Sequence, residues 1–357
     1  MESKDLKNYI CAVPFSSIEV RKSKRFLCCD GWLRNNLPEN STPYDAWNSN
    51  EAYDIRESIL DGSYRYCDSK ICPYLNQIKS FGNVGKVEPI YHKDNLPTTL
   101  VELIEKHKSN KLNSPRIVQF SFDDSCNLKC PSCRVRLIMA NSDEIKFVKQ
   151  NIIDIQNDFG HEVRTIYITG TGDPFISVGF RDFLREFDRE KWPKLEKIHL
   201  HTNATRWNKK MWDSMSNIHK YVKSCEISID AATKDTYENK VRLGGKWDEL
   251  IDNLKFIETI PALKSVKLSF VVQKHNYKEM KDFHDIMISI FGIKGNIFYS
   301  KITDWDTFTE DELLYHQVWK PTHPEHKEFL KELNKVLPRD TAWSNLQEFV
   351  KPIKSVI

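Results

Sequence analysis

The residues best suited to chemistry are three cysteines, Cys126, Cys130 and Cys133, in the run SFDDSCNLKCPSCR. Their spacing is C-x3-C-x2-C. Thiolates this close along a loop can ligate three irons of one cubane cluster. A ferredoxin-type site would need a fourth cysteine to close the cluster, and none lies nearby. The fourth iron is then open to a ligand from outside the chain, and an open coordination position is how metal sites become reactive. A zinc loop is the competing reading. Zinc wants a fourth Cys or His at regular spacing, and the nearest histidines lie far along the chain.

A second group precedes the first: Cys11, the pair Cys28-Cys29, Cys67 and Cys72. It supplies four or five thiolates to a segment with little apolar core, and such a segment gains folding energy from a metal. Four thiolates suit zinc or a [4Fe–4S] cluster. Two groups suggest two metal sites. The remaining cysteine, Cys225, precedes an apolar strand and reads as a buried core residue.

The elements that must position these groups are legible from pattern. Residues 1–80 are rich in turns and cysteine. RKSKRFLCC reads as a short strand after a basic turn. Ala46 to Leu60 has helical spacing, with Trp47, Ile55 and Ile59 on one face, and stops near Asp61-Gly62. Residues 81–114 read as a polar connector with one helix, TTLVELIEKHK. From Pro115 strands and helices alternate. RIVQFSF, VRTIYITG, KIHLHTN, SCEISID, VKLSFVVQ and NIFYSKI are strands, with helices between them. Alternation indicates a parallel sheet or barrel, and six strands fall short of a closed eight-fold barrel. The expected fold is α/β, an open partial (β/α)6 TIM-like barrel over 115–302 with a cysteine-rich module before it. Residues 303–357 read as a helical extension in which Trp305, Phe308 and Trp319 cap the core.

Composition narrows the classes. Of 357 residues, 40% are hydrophobic and 29% charged, with a net charge of +3 and the two signs well mixed. That reads as soluble and globular and gives little support to a polyanionic partner, and no nucleic-acid signature is present. No run of about 18 apolar residues suggests a membrane span. The N-terminal MESKDLKNYICAVPF pairs no basic segment with an apolar core, so no secretory signal is expected and the cytoplasm is the expected location.

Three cysteines at this spacing, on the loop after the first strand of a six-stranded βα array, resemble the radical S-adenosylmethionine superfamily. The resemblance implies a [4Fe–4S] cluster whose open iron takes the amino and carboxylate groups of S-adenosylmethionine. It also implies reductive cleavage to a 5′-deoxyadenosyl radical that abstracts hydrogen from substrate, fed by a flavodoxin- or ferredoxin-type electron donor. Ser132 stands where the family often has an aromatic residue. The second strand ends in ITGTGDPF. Gly170, Thr171, Gly172, Asp173 and Pro174 resemble the family's Gly-Gly-Glu-Pro motif, which cradles the methionine amino group, with Asp173 in place of Glu. Thr202 and Asn203 match a Thr-Asn-Gly turn with Ala204 in place of Gly. By resemblance Ser228 and Arg242 hold the methionine carboxylate; the planar fork of an arginine suits that group. Gln273 and Asn276 are candidates to line the cavity. His199 and His201 read as structural.

The first 80 residues, with CAVPFSSIEV, LCCDGWLRNN and AWNSNEAYDIRESILDGSYRYCDSKICPYL, look like the SPASM or shorter twitch module, which carries an auxiliary [4Fe–4S] cluster. Here the module precedes the barrel instead of following it. The resemblance puts Cys11, Cys28, Cys67 and Cys72 forward as ligands, with Cys29 the alternative to Cys28. The function these features imply is a two-electron oxidation of a small molecule or carbohydrate. Epimerisation, rearrangement and peptide crosslinking are the alternatives within the superfamily, and a zinc-binding module without redox chemistry is the alternative outside it.

Overall fold

The computed structural model describes residues 6–29, 32–33, 37–39, 41–69, 72, 74–75, 78, 89–337 and 339–350. Residues 81–88 of the expected connector and 351–357 of the expected extension lie outside them. The chain forms two compact units. One holds the described residues up to Asp123 with Lys146–Ile168 and Asp188–Lys197; the other holds Asp124–Ile145, Thr169–Phe187 and the described residues from Ile198 onward.

In the first unit β1 (Tyr9–Cys11) pairs antiparallel with β4 (Ile90–His92). A larger sheet has the order β3-β2-β5-β6, from β2 (Ser17–Arg21), β3 (Lys24–Phe26), β5 (Ile117–Phe120) and β6 (Thr165–Ile168). β2 and β3 form a hairpin turned by Lys22 at φ 51°. β2, β5 and β6 are parallel. β-Branched and aromatic residues suit a pleated, half-buried surface. Ile18, Val20, Val118, Phe120, Ile166 and Ile168 recur at every second position of their strands and are fully buried.

Helices complete the core. α1 (Val13–Ser16), α2 (Pro43–Trp47), α3 (Asn50–Leu60) and α4 (Thr98–Lys108) lie in this unit. α5 (Ser142–Phe159) buries Val148, Ile152, Ile155 and Phe159 at helical spacing. Trp47 meets Phe159 edge-on with centroids 6.5 Å apart, and its indole N–H donates to the Leu112 carbonyl at 2.9 Å. The expected single helix over 46–60 is two. Ser49 accepts the Ala52 N–H at 3.2 Å and starts a new helix there, because a serine N-cap competes with continuation.

In the second unit all strands are parallel: β7 (Lys197–Thr202), β8 (Val222–Ser228), β9 (Ser265–Val272), β10 (Gly295–Lys301) and β11 (Ala342–Ser344), in that order. The α-helices longer than three residues are α6 (Val178–Arg185), α7 (Lys209–Asp213), α8 (Trp247–Glu258), α9 (Met280–Phe291), α10 (Glu310–His316) and α11 (His326–Val336). Phe283 of α9 packs on Phe270 of β9 at 4.8 Å. All six strands read from the βα pattern form. Two strands of the parallel arrangement were not anticipated, β2 and β11. The C-terminal stretch is therefore not wholly helical. Trp305 is 54% exposed and does not cap the core. Cys225 is buried, as expected. No helix among the described residues is long and apolar enough to cross a membrane.

Candidate functional site

The loop after β5 is held by its own backbone. Cys126 N–H donates to the Ile138 carbonyl at 2.9 Å, and the N–H groups of Cys133 and Arg134 both reach the Cys130 carbonyl, at 2.9 and 3.0 Å. Lys129 N–H donates to the Leu243 carbonyl at 2.9 Å, which ties the loop to the segment carrying Arg242. Cys126 and Cys130 are buried and Cys133 is exposed.

Each of the three sulfurs has its own N–H donor at 3.5 Å. Asn203 Nδ2 faces Cys126, Arg242 Nη1 faces Cys130 and Arg134 Nη2 faces Cys133. Burial pushes the Cys126 thiol up to about 11, and the nearby Asp173 adds to it. Burial also raises Cys130, against the pull of Arg242. Thiols in such surroundings stay protonated until something replaces the proton. A donor aimed at each sulfur suits a sulfur bearing negative charge, as a metal-bound thiolate does. Arg134 also donates to the carbonyls of Asp124 and Thr171, at 2.9 and 2.8 Å. Sequence reasoning missed Arg134; its one signal was a cation directly after the third cysteine.

Three successive strand ends carry a non-glycine residue in the left-handed region. Thr169 follows β6 at φ 69°, Ala204 follows β7 at φ 60° and Asp230 follows β8 at φ 64°. Each such residue costs about 1–3 kcal/mol, and such positions cluster where a site is built. Thr169 Oγ1 gathers the N–H groups of Gly170, Thr171 and Gly172, the latter two at 2.9 Å. Asp173 is fully enclosed by its own chain. One carboxylate oxygen accepts the Thr202 hydroxyl and the Asn203 N–H, both at 2.8 Å, and the other accepts the Phe175 N–H at 2.9 Å. Asp173 thus ties the glycine turn to the Thr-Asn turn.

Arg242 follows a π-helical turn at Tyr237–Val241, and its N–H donates to the Tyr237 carbonyl at 2.9 Å. Its Nη2 lies 2.6 Å from Asp230 Oδ2, a pair of which only 12% and 3% is exposed. Burial alone would lower the Arg242 charge, but Asp230 and Cys130 hold it. Its Nε is buried without a partner among the described residues. Ser228 Oγ lies 3.0 Å from His201 Nε2, and His199 Nδ1 lies 2.7 Å from Ser224 Oγ. Asn276 is buried, donating to the carbonyls of Asp230 and Val271, and its Oδ1 accepts the Gln273 N–H at 2.8 Å. These two shape the ends of β8 and β9.

The other cysteines meet in the first unit. Cys11, Cys28, Cys67 and Cys72 line one pocket with Val13, Trp32, Tyr64 and Tyr74. Burial raises all four thiols, Cys67 to about 12, and their proximity to one another adds to the shift of Cys11, Cys28 and Cys67. Cys29 is exposed and does not line the pocket. Among the described residues, no three of His, Cys, Asp and Glu are gathered as a single metal ion would require.

Residues 121–287 match the family model described as the radical SAM superfamily. No curated protein matches the sequence. Among solved structures the chain is similar to SuiB of Streptococcus suis bound to S-adenosylmethionine, at 14% identity and a TM-score of 0.45, over 84% of this chain and 64% of that one. It is similar to native anSMEcpe with bound AdoMet, at 16% identity and a TM-score of 0.42, over 63% and 59% of the two chains. The chain thus spans less than two thirds of either structure's own length.

Proposed function

We propose that this chain, a member of the radical SAM superfamily through the domain at residues 121–287, is an enzyme that oxidises a small molecule or carbohydrate by two electrons after abstracting a hydrogen atom from it. The observation that carries the radical part of this reading is the set of three cysteine sulfurs, each with its own N–H donor at 3.5 Å. That donor set fits a [4Fe–4S] cluster held by Cys126, Cys130 and Cys133, with hydrogen bonds to sulfur of the kind that tune cluster potential. When bound, such a cluster supplies the electron that cleaves S-adenosylmethionine to a 5′-deoxyadenosyl radical.

The chain's own residues bind and orient. Thr169 Oγ1 holds the Gly170–Gly172 turn and Asp173 ties it to the Thr202-Asn203 turn, and the glycines let backbone approach the methionine end of S-adenosylmethionine. Asn203 and Ser228 stand at neighbouring strand ends, where ligands of parallel βα folds collect. Arg242, fixed by Asp230, carries a buried Nε without a partner among the described residues and offers that N–H to the methionine carboxylate.

Cys11, Cys28, Cys67 and Cys72 are proposed to hold a second [4Fe–4S] cluster; when bound, such a cluster would supply the one-electron acceptor that oxidation of a substrate radical needs. Their support is one pocket lined by four thiols and by apolar and aromatic side chains. A flavodoxin- or ferredoxin-type protein is the proposed electron donor. The test is anaerobic incubation of the reconstituted full chain with S-adenosylmethionine and dithionite. The reading predicts 5′-deoxyadenosine, and with substrate a product two hydrogens lighter. A product of unchanged mass would make the chain an epimerase or mutase instead, and no 5′-deoxyadenosine would defeat the radical reading.

A further inference from the structure

The sheet of the second unit has two unlike faces. Leu200, Cys225, Ile227, Leu268, Phe270 and Ile297 lie on one, at most 1% exposed, and α9 packs on it through Phe283. A parallel sheet covered on both sides is apolar on both. This one is not. Register on the other face sets His201 beside Glu226 and Glu226 beside Lys267. One step toward the strand ends, Ser228 lies beside Ser269, Ser269 beside Phe298, and Phe298 beside Trp343. One step the other way, His199 lies beside Ser224.

The charges on this face close on themselves. Lys267 Nζ is 3.0 Å from Glu226 Oε2, and Ser269 Oγ donates to the other oxygen. Burial would raise the Glu226 carboxyl, but His201 and Lys267 hold it down to about 2. Lys267 also lies over the rings of Phe298 and Trp343, at 4.5 and 5.2 Å. The two rings are tilted 32° with centroids 4.1 Å apart, and Trp343 is 44% exposed.

We propose that this face binds the substrate and that the substrate is a neutral, hydroxyl-rich molecule of the carbohydrate class, an inference that rests on the reading above. The paired Glu226 and Lys267 leave no net charge to attract an ion. Serine hydroxyls and imidazoles donate and accept, which matches the hydrogen-bonding pattern of a polyol. Trp343 and Phe298 offer an apolar flank on which the C–H face of a sugar ring rests. β11, which carries Trp343, is the terminal strand of the sheet, so a peptide adding to that edge is the competing occupant that a peptide library tests. The face runs directly into the cofactor residues: His201 is two residues before Asn203, and Ser228 belongs to both.

The test is calorimetric titration of the reconstituted full chain, with S-adenosylmethionine present, using the methyl glycosides of glucose, galactose, mannose and N-acetylglucosamine and a pooled peptide library. At least one glycoside is expected to bind. Trp343→Ala, at an exposed position, should weaken that binding about ten-fold, and Glu226→Gln should weaken it as well. Absence of binding by all four glycosides, tighter binding of the peptides, or affinity unmoved by Trp343→Ala would overturn the inference. Formation of 5′-deoxyadenosine without any glycoside is read separately, so failure of the radical reading and failure of the substrate class are distinguishable.

Discussion

Arg242 Nη1 stands 3.5 Å from the sulfur of Cys130. The same guanidinium is 2.6 Å from Asp230, so one side chain joins a proposed cluster ligand to the end of β8. Removing one member of a buried ion pair strands the other, at about 3–5 kcal/mol. Arg242→Met is expected to lose stability on that scale in chemical unfolding. Arg242→Met combined with Asp230→Asn should recover part of the loss. Additive losses would show that the two residues do not act as a pair.

Asp173 receives three hydrogen bonds and is buried. Asp173→Asn keeps the volume but sets an amide N–H group among donors. The expected cost is about 1–3 kcal/mol, with weaker S-adenosylmethionine binding by calorimetry because the glycine turn loosens. Unchanged affinity and stability would remove Asp173 from its role as a tie.

His316 gives a pH prediction. Burial lowers it to about 4, and the charge of His275 adds to this against Glu312. Phe308 lies 4.8 Å from its ring. A histidine with a depressed pKa resists protonation in the fold. Its stabilising share is therefore full above its ordinary value near 6.5 and is lost as pH falls through about 4. Thermal unfolding from pH 7 to 4 should show a steeper loss in the parent than in His316→Gln. Equal slopes would assign the acid sensitivity to other groups.

Much of this was legible in the residues. The six strands and the helices over 98–108 and 142–159 follow from period and length, because apolar spacing is fixed by burial. The grouping of cysteines followed from spacing alone. The strand β2 escaped notice because SSIEV is short and lies among turn residues. β11 escaped because three residues carry no period. The donors on the sulfurs come from positions far apart in sequence, so only folding brings Asn203 and Arg242 to Cys126 and Cys130. Backbone strain at Thr169 and Asp230 left no mark in residue type, whereas Ala204 stands where the resembling motif has glycine, the residue that takes a positive φ most readily.

The central claim is that Cys126, Cys130 and Cys133 form the radical-generating centre, separate from the cysteines of the first unit. The most direct measurement is iron content and 5′-deoxyadenosine formation, side by side, in the reconstituted parent, Cys126→Ala and Cys67→Ala. The account predicts about eight irons in the parent, loss of about half in either variant, and no 5′-deoxyadenosine from Cys126→Ala. Zinc in place of iron, or full cleavage by Cys126→Ala, would contradict it.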